Sequence, residues 1–212
     1  MKAGDSIIVT RPDYDMVTKY ISAWTQGVVD MAEAKGLKVA DLKGSKATRA
    51  NLESYANRHA PVFIFLNGHG NAEVVTGHNN ESLLDSESNV CTDIIYARSC
   101  EAAQILGPRL VARSVKFFIG YTRKFIFSYD IEKVHNPLED HVAGLFLAPS
   151  NLVATTIIKG HSVGEANSRS KEAMYRNFKI MIASTSTFEE RFLARWLWSN
   201  IQSQVVLGSK PY

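Results

Sequence analysis

The stretch from Pro61 to Cys100 constrains the fold most, because it holds two apolar runs that each end in a residue capable of chemistry. Val62-Phe63-Ile64-Phe65-Leu66 stops at Asn67-Gly68-His69-Gly70, and Thr92-Asp93-Ile94-Ile95-Tyr96-Ala97 stops at Arg98-Ser99-Cys100. Short runs rich in β-branched and aromatic residues, closed by Gly or polar residues, have the pattern of buried parallel strands. In an open α/β sheet, ligands bind outside the carboxyl ends of the strands. Where the two strands are neighbours, His69 and Cys100 share that rim as a thiol-imidazole pair.

The preceding chain makes a parallel sheet the expected frame. Ser6-Ile7-Ile8-Val9-Thr10 reads as a strand closed by the turn signal Arg11-Pro12-Asp13. Val17, Tyr20, Ile21, Trp24, Val28 and Met31 recur at helical spacing, with Gly36 as a stop. A strand over 37–42 and a helix over 48–58 follow, so the run to Leu66 is βαβαβ with right-handed crossovers. The polar stretch 69–90 reads as a loop or hairpin. A short helix is expected from Glu101 onward, bent at Gly107-Pro108, then a strand over 115–120. Phe125-Ile126-Phe127 fits a short strand or a loop lining the site; helices are expected over 137–148, 162–178 and 187–203. The last has an apolar face of Phe188, Phe192, Trp196 and Leu197, which packs on the sheet or docks a partner. The expected fold is a three-layer α/β/α sandwich with a mostly parallel central sheet, in one domain over 1–212.

Composition excludes several classes of function. The formal net charge is only +3 over 212 residues, with Lys and Arg dispersed among acids, so no nucleic-acid partner is expected. No run approaches the roughly 20 apolar residues of a membrane helix, and Ile7-Ile8-Val9 is too short for a signal-peptide core. A cytoplasmic protein that does not engage membrane is the expectation. The two cysteines flank one strand and would stand roughly 30 Å apart, so no disulfide is expected between them. Cys91 reads as a half-buried filler, and Cys100 as the candidate nucleophile. No cluster has metal-ligand spacing, His78 and Asp93 receive no role, and no cofactor is called for.

A thiol attacks as its thiolate, and an imidazole provides for that by taking the proton or by ion pairing. A helix starting after Cys100 would add its positive N-terminal end. Gly70, lacking a side chain, leaves its N–H open to a substrate carbonyl, and with the Cys100 N–H it would form an oxyanion hole.

The run Phe63 to Gly70, followed by Ile94 to Cys100, resembles the clan CD cysteine peptidases, in which a strand ending in His-Gly precedes one ending in the catalytic Cys. The clan includes caspases, metacaspases, legumain, gingipains, clostripain, separase and bacterial CHAT domains. The resemblance is strongest over residues 5–129; Gly120-Tyr121-Thr122 and Ile158 to Ala166 look similar to softer motifs of gingipain-like and CHAT members. It implies a caspase-like sandwich, a protein or peptide substrate, and endopeptidase hydrolysis with His69 as general acid/base and Cys100 as nucleophile. It also implies regulation by cleavage or by a partner protein or domain; the polar loops 79–89 and 128–136 carry the acids Asp85, Glu87, Asp130 and Glu132.

Metacaspases and clostripain-like members carry an acid two residues before the Cys, where this chain has Arg98. A guanidinium there favours a carboxylate, so Arg98 and Arg123 are the candidate substrate-binding residues of an enzyme cutting after Asp or Glu. The alternative is that Arg98 pairs with Glu101 or Asp93 at the surface. A second function is a catalytically silent caspase-like scaffold or sensor. A flavodoxin-like phosphate binder ranks last, because Arg11-Pro12-Asp13-Tyr14 stands where a Gly-rich loop would follow the first strand.

Overall fold

The structure is a computed structural model that describes residues 1–208. Strand β1 (Ser6–Arg11) is followed by helix α1 (Met16–Ala34), strand β2 (Lys38–Lys43) and helix α2 (Arg49–His59). Strand β3 (Phe63–Asn67) leads into a hairpin of β4 (Val74–Thr76) and β5 (Ser82–Asp85), then into β6 (Ile94–Arg98). Helix α3 (Leu106–Arg113), strand β7 (Phe117–Tyr121), helices α4 (His141–Lys159), α5 (Val163–Met181) and α6 (Phe188–Ser203), and strand β8 (Gln204–Gly208) complete the chain as described. The main sheet has the order β2-β1-β3-β6-β7-β8, parallel throughout except for β8, which runs antiparallel to β7.

Alternation along the strands assigns the layers. Ile7, Val9, Phe63, Phe65 and Tyr96 face one way, into a core with α1 and α4. Ile8, Ile64, Leu66, Ile95 and Ala97 face the other way, against α2, α3 and the β4–β5 hairpin. Helices α5 and α6 pack beside α4 around Phe146, Met174, Met181 and Leu197. The arrangement is the three-layer α/β/α sandwich expected. The βαβ units put the ends of β1, β3 and β6 at one rim.

Two local expectations are corrected, both at α4. Helix α4 runs through Pro149 to Lys159 rather than stopping at Ala148. The ring removes the donor that the Leu145 carbonyl would receive within the helix, and Asn177 Nδ2 of α5 donates to that carbonyl instead at 2.8 Å. By length and composition α4 is also apolar enough to cross a membrane, against the expectation that no segment is; more than half of it is buried within the protein. Strand β8, directly after α6, lacks any turn residue to announce it. Of the two forms expected at Phe125-Ile126-Phe127, a short strand or a loop, the segment takes the loop.

Candidate active site

Strands β3 and β6 are hydrogen-bonded neighbours, with Asn67 opposite Arg98 as the last pair in register. His69 and Cys100 each follow that pair by two residues, on the same rim. A direct tether links the two turns: Ser99 Oγ donates to the His69 carbonyl at 2.8 Å, and Ser99 is buried. Gly70 is required here, since a Cβ would run into Ser99 Oγ and the Val74 carbonyl. Among the described residues neither the Gly70 nor the Cys100 N–H donates to a protein acceptor.

His69 has a partner that the sequence reading missed. Its Nε2 lies 2.7 Å from Asp15 Oδ2, and both side chains are half-exposed. Asp15 sits in the turn after β1, where it caps α1: its Oδ1 accepts the Thr18 N–H at 2.8 Å, and its own N–H donates to Thr18 Oγ1 at 3.0 Å. Partial burial raises the Asp15 carboxyl, but the hydrogen bonds from Thr18 and His69 outweigh that and hold it below the ordinary carboxylate range. The Tyr14 ring meets the imidazole edge-on, with 6.2 Å between centroids. Tyr14, Asp15, His69, Gly70, Thr76 and Asn80 wall a cavity of about 460 Å³, with Cys100 outside its lining. The rim rule that located His69 also covers Asp15, at the carboxyl end of β1.

Cys100 lies in drier surroundings. Its thiol approaches the Phe125 carbonyl at 3.9 Å, and Phe125 is buried on Tyr121. Burial pushes the thiol above its ordinary value and the Glu101 carboxylate adds to this; a backbone hydrogen bond at Phe125 and the Lys124 ammonium oppose it without offsetting it. The expected helix at Glu101 is absent: residues 102–105 form turns, Glu101 is left-handed with φ 58°, and α3 starts at Leu106. No helix terminus therefore acidifies the thiol. The segment covering it is anchored from both sides, by the Glu101 N–H to the Arg123 carbonyl at 3.1 Å and by buried Asn200, which binds the Ile126 N–H at 3.1 Å and carbonyl at 2.6 Å.

The arginine pocket does not form. Arg98 is fully buried and points into the α1/α4 layer, where Asn67, Ser150, Asn151 and Thr25 take its donors, so it meets no substrate. It pairs with neither Glu101 nor Asp93; Asp93 binds Lys116 instead at 2.9 Å. Arg123 is exposed and remains accessible. Cys91 is exposed, not a filler. Among the described residues no group of His, Cys, Asp and Glu is arranged to hold a metal.

No protein-family model matches the chain, and no curated protein matches it.

Proposed function

We propose that this chain is a cysteine endopeptidase of the clan CD type, with Cys100 as nucleophile and His69 as general acid/base. The observation that carries the reading is the pairing of β3 with β6, which sets His69 and Cys100 two residues beyond one in-register pair. With Nε2–H donating to Asp15, the lone pair of His69 Nδ1 is the base that takes the Cys100 proton. The sulfur attacks the scissile carbonyl, and the Gly70 and Cys100 N–H groups receive the oxyanion. The imidazolium returns its proton to the leaving amine, and water then hydrolyses the thioester with His69 again as base. Asp15 acts as a positioning residue that fixes the imidazole by accepting its Nε2–H.

The resting thiol is protonated and covered, so this cycle requires the segment around Phe125 to yield to substrate or to a regulator. The same observation favours the second reading, a caspase-like scaffold in which the dyad does not turn over. Turnover of short fluorogenic peptides ending in Asp, Glu, Arg or Lys separates the two. Cleavage that Cys100→Ala and His69→Ala both abolish supports the peptidase; no Cys100-dependent cleavage of any peptide leaves the scaffold or a covered form awaiting its regulator.

A further inference from the structure

Among the described residues no carboxylate pairs with the guanidinium of Arg98. It is fully buried, and its acceptors are all uncharged: Asn67 Oδ1 at 2.9 Å, Ser150 Oγ and Asn151 Oδ1 at 2.8 Å, Thr25 Oγ1 at 2.5 Å and the Ile21 carbonyl at 3.4 Å. Its carbon lies 5.1 Å from the centroid of the Phe65 ring. Arg11, also buried, shows the usual solution, an ion pair with Asp41. Buried charges are normally paired in this way, and an unpaired one is an unfavourable choice for filling space.

What the fork accomplishes is reach. Arg98 ends β6, Asn67 ends β3, Ile21 and Thr25 belong to α1, and Ser150 and Asn151 belong to α4. Three of these elements deliver the site: Cys100 follows Arg98 by two residues, His69 follows Asn67 by two, and Asp15 caps α1. Asn67 extends the contact to β1, its N–H donating to Thr10 Oγ1 at 2.9 Å and its side-chain amide to the Thr10 carbonyl at 2.8 Å. The layer of polar groups directly beneath the dyad is therefore one connected network with Arg98 at its centre. Hydrogen bonds of this kind fix distance and angle, where apolar packing would let the strand ends and the helix shift against each other.

We propose that Arg98 is a positioning residue that holds β3, β6 and α1 in the arrangement that sets His69 and Cys100 on one rim with Asp15 against the imidazole. The proposal rests on the His69–Cys100 reading above for its catalytic consequence, but its geometric consequence at His69 can be observed without turnover. The experiment compares wild type with Arg98→Lys and Arg98→Met, using ¹⁵N spectra of the His69 imidazole together with kcat and KM on the best peptide. In wild type His69 is expected as the single tautomer that donates from Nε2 to Asp15. In the variants it becomes a tautomer mixture, and kcat falls by about tenfold to a hundredfold with KM nearly unchanged, as small misplacements of reacting groups do. Lysine, which keeps the charge but loses the fork, is expected to lie between wild type and methionine. Ser150→Ala, which removes one acceptor away from the rim, shifts both readouts in the same direction by less and serves where Arg98 variants do not fold. A folded Arg98 variant or Ser150→Ala with wild-type tautomer and wild-type kcat overturns the proposal. Wild type that turns over no peptide, with variants that still shift the His69 spectrum, counts against the peptidase reading alone and leaves the positioning role standing.

Discussion

His69 and Cys100 leave adjacent strands at the same register, yet the two ends of the candidate dyad have opposite surroundings. The His69 end is open: a half-exposed imidazole with a carboxylate partner, on the wall of a cavity of about 460 Å³. The Cys100 end is dry: a half-buried thiol beneath an irregular segment, near a carbonyl at 3.9 Å, with its pKa pushed up by burial. On the proposed reading the base has its partner in the resting state while the nucleophile is still covered. The strands bring the two residues to one rim, whereas the segment against Cys100 sets how accessible the thiol is. That division puts the difference between the two ends in residues 122–127 rather than in the sheet.

The largest expected effect tests whether both ends belong to one reaction. Cys100→Ala should lower turnover of any cleaved peptide by at least about 10⁴-fold, as removal of a nucleophile does, and His69→Ala by a comparable factor. A His69→Ala enzyme that retained more than a tenth of the wild-type rate would separate the two ends and make their shared rim incidental.

The open end is tested next by Asp15→Asn. Asparagine caps helices as well as aspartate, so α1 should persist while the charge beside His69 is lost. We expect kcat to fall by about a hundredfold, the low end of what a positioned acid–base group supplies. The same variant has a pH signature. Asp15 ionises below the ordinary carboxylate range in the folded protein, so the stability its charge contributes is complete above about pH 4 and is lost as pH falls through the depressed value. Denaturation midpoints of wild type and Asp15→Asn should therefore differ at pH 7 and converge towards pH 2. A difference that persists unchanged at pH 2 would assign it to the cap rather than to the charge.

The closed end is tested through Asn200, the buried residue that clamps Ile126 by two hydrogen bonds. Asn200→Ala should destabilise the protein by about 1–2 kcal/mol, since the Ile126 backbone loses both partners. It should also speed alkylation of Cys100 by iodoacetamide several-fold at pH 8, as the cover loosens. In wild type the alkylation rate should rise only at pH values above those of an ordinary thiol, about 8.5, because the folded thiol resists ionisation. An inflection below pH 7 would mean that the nucleophile is activated at rest, and the contrast between the two ends would disappear.

The parts of this arrangement visible in the sequence are those set by neighbouring residues. Phe63 to Leu66 and Ile94 to Ala97 announce their own strands, and strands flanking short crossovers tend to pair, which is enough to bring His69 and Cys100 to one edge. Asp15 escaped notice because it lies 54 residues from His69 and meets it only once the sheet has formed. Its position after β1, ahead of the helical period that starts near Val17, carried the signal of a cap on the same rim. The direction of Arg98 was legible in principle: it shares strand parity with Tyr96, whose ring faces α1 and α4, so its side chain belongs inside. Reading it as a pocket residue followed from the resemblance, in which metacaspases and clostripain-like members carry a substrate-binding acid two residues before the Cys. The drying of Cys100 was not legible, since it depends on a segment without periodicity held by an asparagine from a distant helix.

The smallest expected effect bears on substrate choice at the closed end. With Arg98 buried and its donors taken, Arg123 is the remaining member of the arginine pair that would have recognised an acidic side chain. Its backbone is committed to covering Cys100, as its carbonyl receives the Glu101 N–H at 3.1 Å, while its guanidinium extends into solvent. An exposed cation attracts a carboxylate by about 1 kcal/mol or less, which salt reduces further. Arg123→Ala should therefore change the preference for peptides ending in Asp or Glu over Lys or Arg by no more than about fivefold, and by less at 0.5 M salt. A loss of acidic preference greater than about fiftyfold would require a desolvated arginine–carboxylate contact. Substrate binding would then have to close the segment further over Cys100, giving the covered end of the dyad the role of a specificity pocket as well as a barrier.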